Sequence, residues 1–395
     1  MKSDLLVVGA GTMGGWTAYL AQLGGGRQVT LLDAWGPGNP RASSGDESRI
    51  TRAAHGSDAL YTRWSRRSLD DWKQLGEMRS EDLFQACGVL WFAHQDDGFE
   101  ARSIPVLRAE RVPYERLTPA EVARRWPVVG ASDLAYAVYE PEGGALMARR
   151  GCRAVTDAFG DAGGTFERAA VRPGSVEGPR LEDVIAADGR RWSADTFVFA
   201  CGPWLPHLFP DVLGNVIRVT KQDVVFFGPP ARSQPGAPAW CDFDLAYYGL
   251  PDLEGRGPKM APDRLGPIFD PTNGERLVDP ESVRLARTYL RRRFPGLADA
   301  PVVETRVCQY ESTPDGHFLI APHPEWENVW LVGGGSGHGF KHGPGIGRYL
   351  LARIDGAAEG IQEGVDEARF RLGPRQVASA ARTGGDEMWR SWEAF

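Results

Sequence analysis

The chain has 395 residues and a net charge of −7, with 42% hydrophobic and 25% charged residues. That length can build two or three domains, the acidic balance gives no footprint for nucleic acid, and no apolar run approaches the ~20 residues that span a bilayer. The five cysteines, Cys87, Cys152, Cys201, Cys241 and Cys308, are odd in number, widely spaced and without a CxxC pair, which argues against a disulfide framework or a zinc ribbon.

The N-terminus reads as strand, turn, helix, strand. Leu5-Leu6-Val7-Val8 is an apolar run of strand length. It is too short for a secretory signal and runs directly into a glycine motif, so a cytoplasmic protein is expected. Gly9-Ala10-Gly11-Thr12-Met13-Gly14 forms the turn. The helix over residues 13–23 should cover a sheet face with Ala18, Tyr19, Leu20 and Leu23 and stop at Gly24-Gly25-Gly26. Residues 28–32 form the second strand, which ends at Asp33. A loop rich in glycine, proline and serine over 36–46 leads into Glu47-Ser48-Arg49-Ile50-Thr51-Arg52.

A helix is predicted over 61–75, with Leu60, Trp64, Leu69 and Trp72 as core positions. Residues 85–145 read as mixed, with a strand over 88–93 and a helix start at Thr118, whose capping partner is Glu121. A helix over 148–160 and a buried strand over 194–200 follow, the latter running into Cys201-Gly202-Pro203-Trp204. Residues 216–304 read as strands plus one helix over 280–294, with Val283, Leu285, Ala286 and Leu290 turned inward. A strand over 329–332 feeds Gly333-Gly334-Gly335-Ser336-Gly337-His338-Gly339-Phe340-Lys341, and the last helix covers 344–354. The polar tail after Pro374, with Trp389, Trp392 and Phe395, reads as a linker and docking peptide.

The buried, parallel-looking strands lie near residues 5, 29, 197 and 330. That dispersion predicts an α/β chain of two domains. A Rossmann-like dinucleotide domain would be assembled from 1–84, 146–215 and 305–374, a mixed-sheet substrate domain from 85–145 and 216–304, and a tail from 375–395.

The glycine motif has a physical logic. Gly9 allows the turn out of the strand, Gly11 lets backbone approach a pyrophosphate, and Gly14 lets the helix pack against the sheet. The helix N-terminus then faces the phosphates. Asp33, at the end of the second strand, could bind a ribose hydroxyl. The bare motif does not separate NAD from FAD. A simple nicotinamide enzyme would continue with regular βαβ units, whereas this chain continues with the serine-, glycine- and arginine-rich stretch 41–52. Ser43 and Ser44 there could donate hydrogen bonds to a cofactor, and Val171 is a further cofactor contact expected. His338 and His342 lie among glycine and proline rather than on a helix, so no metal site is expected, and His338 should orient the cofactor loop.

Taken together, Gly9 to Gly14, Ser48-Arg49-Ile50-Thr51-Arg52, Tyr248-Gly249-Leu250-Pro251 with Lys259, Cys308, Pro314-Asp315-Gly316-His317 and Ser336 to Lys341 resemble the flavin amine oxidases typified by monomeric sarcosine oxidase, N-methyltryptophan oxidase and pipecolate oxidase. The pieces run in family order from residue 4 to about 355. The resemblance implies an FAD-dependent oxidase of a secondary amine or imino acid bearing a carboxylate, with a hydride passing to flavin N5 and O2 reduced to hydrogen peroxide. It implies that Cys308 forms a thioether to the flavin and that Gly337, His338, Gly339, Phe340 and Arg49 lie against the cofactor. Arg52 and Lys341 would hold the substrate carboxylate, Tyr248 would wall the pocket, and Lys259 would assist oxygen. It also implies a monomer acting on a small-molecule amine. A dehydrogenase using a different electron acceptor is the alternative.

There is one departure. The family's active-site histidine falls on Asp263 by its spacing from Tyr248 and Lys259. An acid there would face a cationic or polyhydroxylated part of a substrate, unless local gaps make Asp263 an ordinary loop residue.

Overall fold

The computed structural model describes residues 2–228, 236–357 and 366–375. The N-terminal unit is built as its pattern predicts: strand β1 (Ser3–Val8), helix α1 (Thr12–Leu23), strand β2 (Val29–Asp33). β1 lies between two parallel neighbours, β2 and Arg191–Phe199. Thr165–Arg168 extends the sheet beyond β2, and Val329–Gly333 pairs in parallel with Arg191–Phe199. The unbroken apolar runs follow from burial on both faces. Leu5, Val7, Leu31 and Val198 join the core under the helices, while Leu6, Val8, Leu32, Phe197 and Phe199 join a second core on the opposite face.

The short strand β3 (Ser48–Thr51) pairs with Gly144–Met147, which also pairs with Phe84–Gln85. Helix α2 (Ala59–Arg79) begins at Asp58, whose side chain accepts from the Tyr61 amide, and ends on Ser80 in the left-handed region. Leu60, Trp64, Leu69 and Trp72 are buried as expected.

A second sheet of eight strands runs in the order Val302–Ser312, Arg218–Phe227, Lys259–Pro262, Tyr247–Leu250, Ala239–Asp242, Val89–Ala93, Tyr136–Glu140, Glu115–Leu117. Its first strand carries Cys308, placed opposite Gln222 of the adjoining strand. Helix Pro280–Arg293 packs into this sheet's core through Ala286, Tyr289 and Leu290.

Two expectations are corrected, and one helix is added within the stretch read as mixed. The helix Phe99–Ala109 escaped the sequence reading because Pro105 sits inside it, a residue that normally argues against a helix interior. Leu285 is exposed, because the buried stripe is Ala286, Tyr289, Leu290 and Arg293, at helical spacing of three, four and seven. Leu23 is exposed in the last turn of α1, beyond its buried run. The expected capping box at Thr118 and Glu121 forms in both directions. Of the tail, only Arg375 is described, with Nη1 2.8 Å from the Asp315 carboxylate; the docking residues lie outside the described residues. Among the described residues, no helix is long and apolar enough to cross a membrane.

Trp72 joins the helical layer to the second glycine run. It meets Trp16 edge to face at 4.9 Å, stacks on Phe340 at 5.4 Å, and donates its indole N–H to the Lys341 carbonyl at 3.3 Å. Replacing Trp72 by Ala should destabilise the protein by about 3–5 kcal/mol and loosen the Phe340–Lys341 turn. Urea unfolding, with proteolysis at that turn, measures both effects.

Candidate functional site

A single cavity runs from the first glycine turn to the second. Gly9, Gly11, Thr12, Met13 and Asp33 line one end. Ser43, Ser44, Arg49 and Cys308 line its middle, with Gly337, His338, Gly339 and Phe340. Arg52, Tyr248, Asp263 and Lys341 line it as well, and so does Val171. Two predicted site residues are not on its wall. Gly14 lies behind the turn, where a Cβ would come within 1.9 Å of the Gly9 carbonyl oxygen, so its smallness serves helix packing. Lys259 is buried in the second sheet.

The turn itself requires glycine. Gly9 has φ +110°, and a Cβ there would meet the Ala200 carbonyl oxygen at 2.3 Å. The first turn of α1 carries no acid, and its N-cap, Gly11, makes no side-chain cap. The partial positive charge of the helix end is therefore presented to the cavity. Asp33 accepts from the amides of Ala10 at 2.8 Å, Trp35 at 2.8 Å and Gly36 at 2.7 Å. Three of the roughly four acceptor positions of a carboxylate thus brace the two loops, which leaves one for a sugar hydroxyl. An open helix end over a cavity, with an acid beside it, fits the diphosphate and ribose of FAD.

Ser44 holds the third loop against α1, where its hydroxyl accepts from the Thr12 amide at 3.2 Å. Ser43 donates to the Glu311 carboxylate at 2.6 Å. Burial pushes Glu311 up to about 7.

Arg49 is the hub of the middle region. Its guanidinium donates to Asp46 at 2.7 Å and to the Ser43 carbonyl at 2.7 Å, and lies 3.2 Å from Cys308 Sγ. Burial opposes its charge, but Cys308 and Asp46 outweigh that and hold it protonated. Asp46 also receives Lys259 Nζ, which donates a second bond to the Ser48 carbonyl at 2.8 Å. Arg306 approaches the same carboxylate at 3.4 Å. Burial pushes Asp46 up, yet Lys259 and Arg49 overcome this and hold it well below the usual carboxylate range. Neither Asp46 nor Arg306 was singled out by sequence reasoning.

At the other end, Arg52 lies over the Trp91 ring at 5.0 Å, with Phe99 and Phe243 at 5.9 and 5.8 Å. Lys341 Nζ donates to the His338 carbonyl at 3.0 Å. Burial, then the charge of Arg52, push Lys341 well below the ordinary lysine range. Asp263 accepts from the Tyr310 hydroxyl at 3.0 Å and is pushed up to about 6 by burial, against the pull of Tyr310, Arg52 and Lys341. Burial raises Tyr248 beyond the ordinary phenol value. Tyr310 was missed, although strand alternation places it two residues along and on the same face as Cys308.

Sequence spacing set His338 and His342 aside as metal ligands. Folding brings His55 to both, with one ligand atom of each within 4.8 Å of the others. Burial, with Arg52 and Lys341 next to them, pushes His55 and His342 well below the ordinary histidine range. Positive neighbours of this kind oppose a divalent cation. His338 Nε2 is 3.0 Å from the Gly316 carbonyl, which fixes the ring in the second glycine run. Nothing in the sequence signalled that His55 would join them.

A family model described as FAD dependent oxidoreductase matches residues 4–353. The chain belongs to this family. It is an FAD-dependent oxidoreductase, and the cavity has the glycine turn and helix end that such a cofactor needs. The chain is 30% identical over 363 residues to monomeric sarcosine oxidase of Bacillus sp. (strain B-0618), covering 88% of this chain and 90% of that one. It is 28% identical over 358 residues to N-methyl-L-tryptophan oxidase of Yersinia pestis (strain Pestoides F), covering 88% and 93%. Among solved structures, L-proline dehydrogenase from P. horikoshii superposes with a TM-score of 0.80 at 21% identity over 93% of this chain and 96% of that one. NikD, an amino acid oxidase of nikkomycin biosynthesis, does so with 0.78 at 20% identity over 96% and 100%. These last two likenesses establish the fold.

Glu311 supplies a pH test. Its folded value lies above the ordinary 4.5, so the folded state holds the proton more tightly and loses stability as pH rises from about 4.5 through about 7. Glu311→Gln removes that loss. Without cofactor, the variant should gain about 1–3 kcal/mol on the wild type between pH 4 and pH 8, read from urea midpoints at the two pH values.

Proposed function

We propose that this FAD-dependent oxidoreductase oxidises a secondary amine or imino acid that bears a carboxylate, and that its flavin is bonded to Cys308. The observation that carries the reading is the cavity itself, which joins the first glycine turn to Cys308, Arg52 and Lys341. The FAD, when bound, supplies the two-electron chemistry. The protein's residues bind, orient and exclude water.

In this reading, segments 1–84, 146–215 and 305–374 hold the cofactor, while 85–145 and 216–304 wall the substrate. The α1 N-terminus and Asp33 take the ADP half. Arg49 lies against Cys308 Sγ, the atom that would bond to the flavin carbon. Arg52 offers its planar fork to the substrate carboxylate, and its aromatic surroundings keep water away. Lys341 regains its proton when an anion arrives beside it, which strengthens the hold. Tyr248 keeps its hydroxyl proton and donates from the wall.

The choice of electron acceptor turns on Lys259. Its ammonium would favour reduction of oxygen by stabilising developing negative charge. Its commitment to Asp46 and Ser48 favours the second reading, a dehydrogenase with another acceptor. Stopped-flow reoxidation of the reduced protein separates the two: a rate that rises with oxygen concentration supports the oxidase, and indifference to oxygen supports the dehydrogenase.

Acid denaturation of the yellow protein should leave the colour on the polypeptide, and mass spectrometry should find the flavin mass on the peptide containing Cys308. Cys308→Ser should release the flavin into the supernatant. Colour lost from the wild-type chain refutes the covalent assignment. Arg52→Ala should raise KM for carboxylate-bearing amines by about 10²–10³-fold, the scale of a buried charge-assisted contact, with a smaller effect on amines lacking the acid. Steady-state kinetics on matched substrates measures it.

A further inference from the structure

Asp263 is the one carboxylate on the cavity wall that stands with Arg52 and Lys341 among the described residues. Its backbone is fixed by the Asp263 N–H to Ala246 carbonyl bond at 2.8 Å, at the end of the strand Lys259–Pro262. Oδ1 accepts the Tyr310 hydroxyl, while Oδ2 makes no hydrogen bond among the described residues. The groups that face it are Tyr310, Arg52, Lys341, Tyr248 and Cys241. Tyr310, Tyr248 and Cys241 all keep their protons, because burial pushes each of them up. Sites that bind only a carboxylate need cations alone. This wall carries an acid as well, and its charge pattern matches a zwitterion.

We propose that Asp263 receives the ammonium group of an amino-acid substrate through Oδ2 and takes its proton inside the cavity. The proposal rests on the amine-oxidation reading above. An ammonium cannot yield a hydride, because its nitrogen has no lone pair to form the C=N bond. In the proposed step an N–H bond breaks, the proton passes to the Asp263 carboxylate, and nitrogen keeps the electron pair. That pair would then form the C=N bond as the neighbouring carbon gives up its hydrogen with two electrons, for which the FAD would be the oxidant, and the substrate would leave as an iminium that water hydrolyses.

The geometry favours this order. The Arg52 charge favours loss of the Asp263 proton while the cavity holds no anion, and a substrate carboxylate placed on Arg52 cancels that pull. Carboxylate binding therefore makes Asp263 a stronger base at the moment the ammonium arrives. Its value of about 6 already lies near the range in which a general base works at neutral pH.

The test uses the flavin-loaded enzyme and a panel of sarcosine, L-proline, L-pipecolate and N-methyl-L-tryptophan. With the amine that bleaches the flavin fastest, the wild-type reduction rate at limiting substrate should fall below about pH 6, where Asp263 is protonated. Asp263→Asn should be slower by about 10²–10³-fold at pH 7, should lose that acid limb, and should recover toward wild type near pH 10, where the free amine is neutral in solution. Calorimetry gives a readout apart from turnover. Asp263→Asn should weaken binding of L-pipecolate at pH 7 and leave cyclohexanecarboxylate, which has the acid but no nitrogen, unchanged. Tyr310→Phe removes a hydrogen bond that favours the charged carboxylate and should move the acid limb upward.

A wild-type pH profile retained in Asp263→Asn overturns the proposal and points to Lys341 as the base, with the amine-oxidation reading intact. Should Asp263→Asn fail to fold or to hold flavin, Tyr310→Phe decides: an acid limb that does not move overturns the assignment. A wild-type flavin that no amine of the panel bleaches counts against the amine-oxidation reading and removes the basis of the proposal with it.

Discussion

A hydrogen bond from the Thr12 hydroxyl to the Phe340 carbonyl, 2.8 Å long, joins residues 328 positions apart. It matters because each partner stands at the mouth of a glycine turn, one opening α1 and the other preceding the helix Gly343–Ile354. The two helices pack along their length, and Trp72 clamps the later turn from α2. With the two turns stapled, the positive end of α1 and the Lys341 ammonium face one volume. The staple acts together with the helix packing and the shared sheet to keep the two turns on one cavity.

The charges in this volume are arranged in two contrasting ways. Asp46 collects Lys259, Arg49 and Arg306, which repays the cost of burying the carboxylate and fixes Arg49 beside Cys308. Burial of so many charges is tolerable only because they are paired. Among the described residues Lys341 is hydrogen-bonded by its ammonium nitrogen to the His338 carbonyl only, and it is pushed toward neutrality. The first cluster is a finished structure that needs nothing from outside. On the proposed reading a substrate carboxylate would complete the second, and part of the ligand's binding energy would go into restoring a proton to Lys341.

The sequence was most readable where local pattern and tertiary demand agree. The apolar runs at 5–8, 197–199 and 329–332 became buried parallel strands because nothing but a two-faced sheet position suits them. Glycine spacing marked both turns, and the cavity gathers residues from Gly9 through Lys341 as the motif order suggested. What could not be read was set by contacts between distant segments. Asp46 looks like an ordinary loop acid until Lys259 reaches it from another sheet. His55 carries no local pattern that would send it toward His338 and His342. Pro105 concealed a helix because local propensity argued against what packing then enforced.

The order of strands in the first sheet bears on how the polypeptide comes off the ribosome. Arg191–Phe199 has β1 on one side, and among the described residues its other flank is covered at 197–199 only by Val329–Gly333. Some 130 residues, 329 less 199, must be translated before that partner exists, roughly 7–26 s at ordinary elongation rates. Through that interval an apolar strand edge stands open, a template for pairing with other nascent chains. A chaperone that shields such edges would therefore raise the yield of this protein in the cell, although it would leave its final stability unchanged.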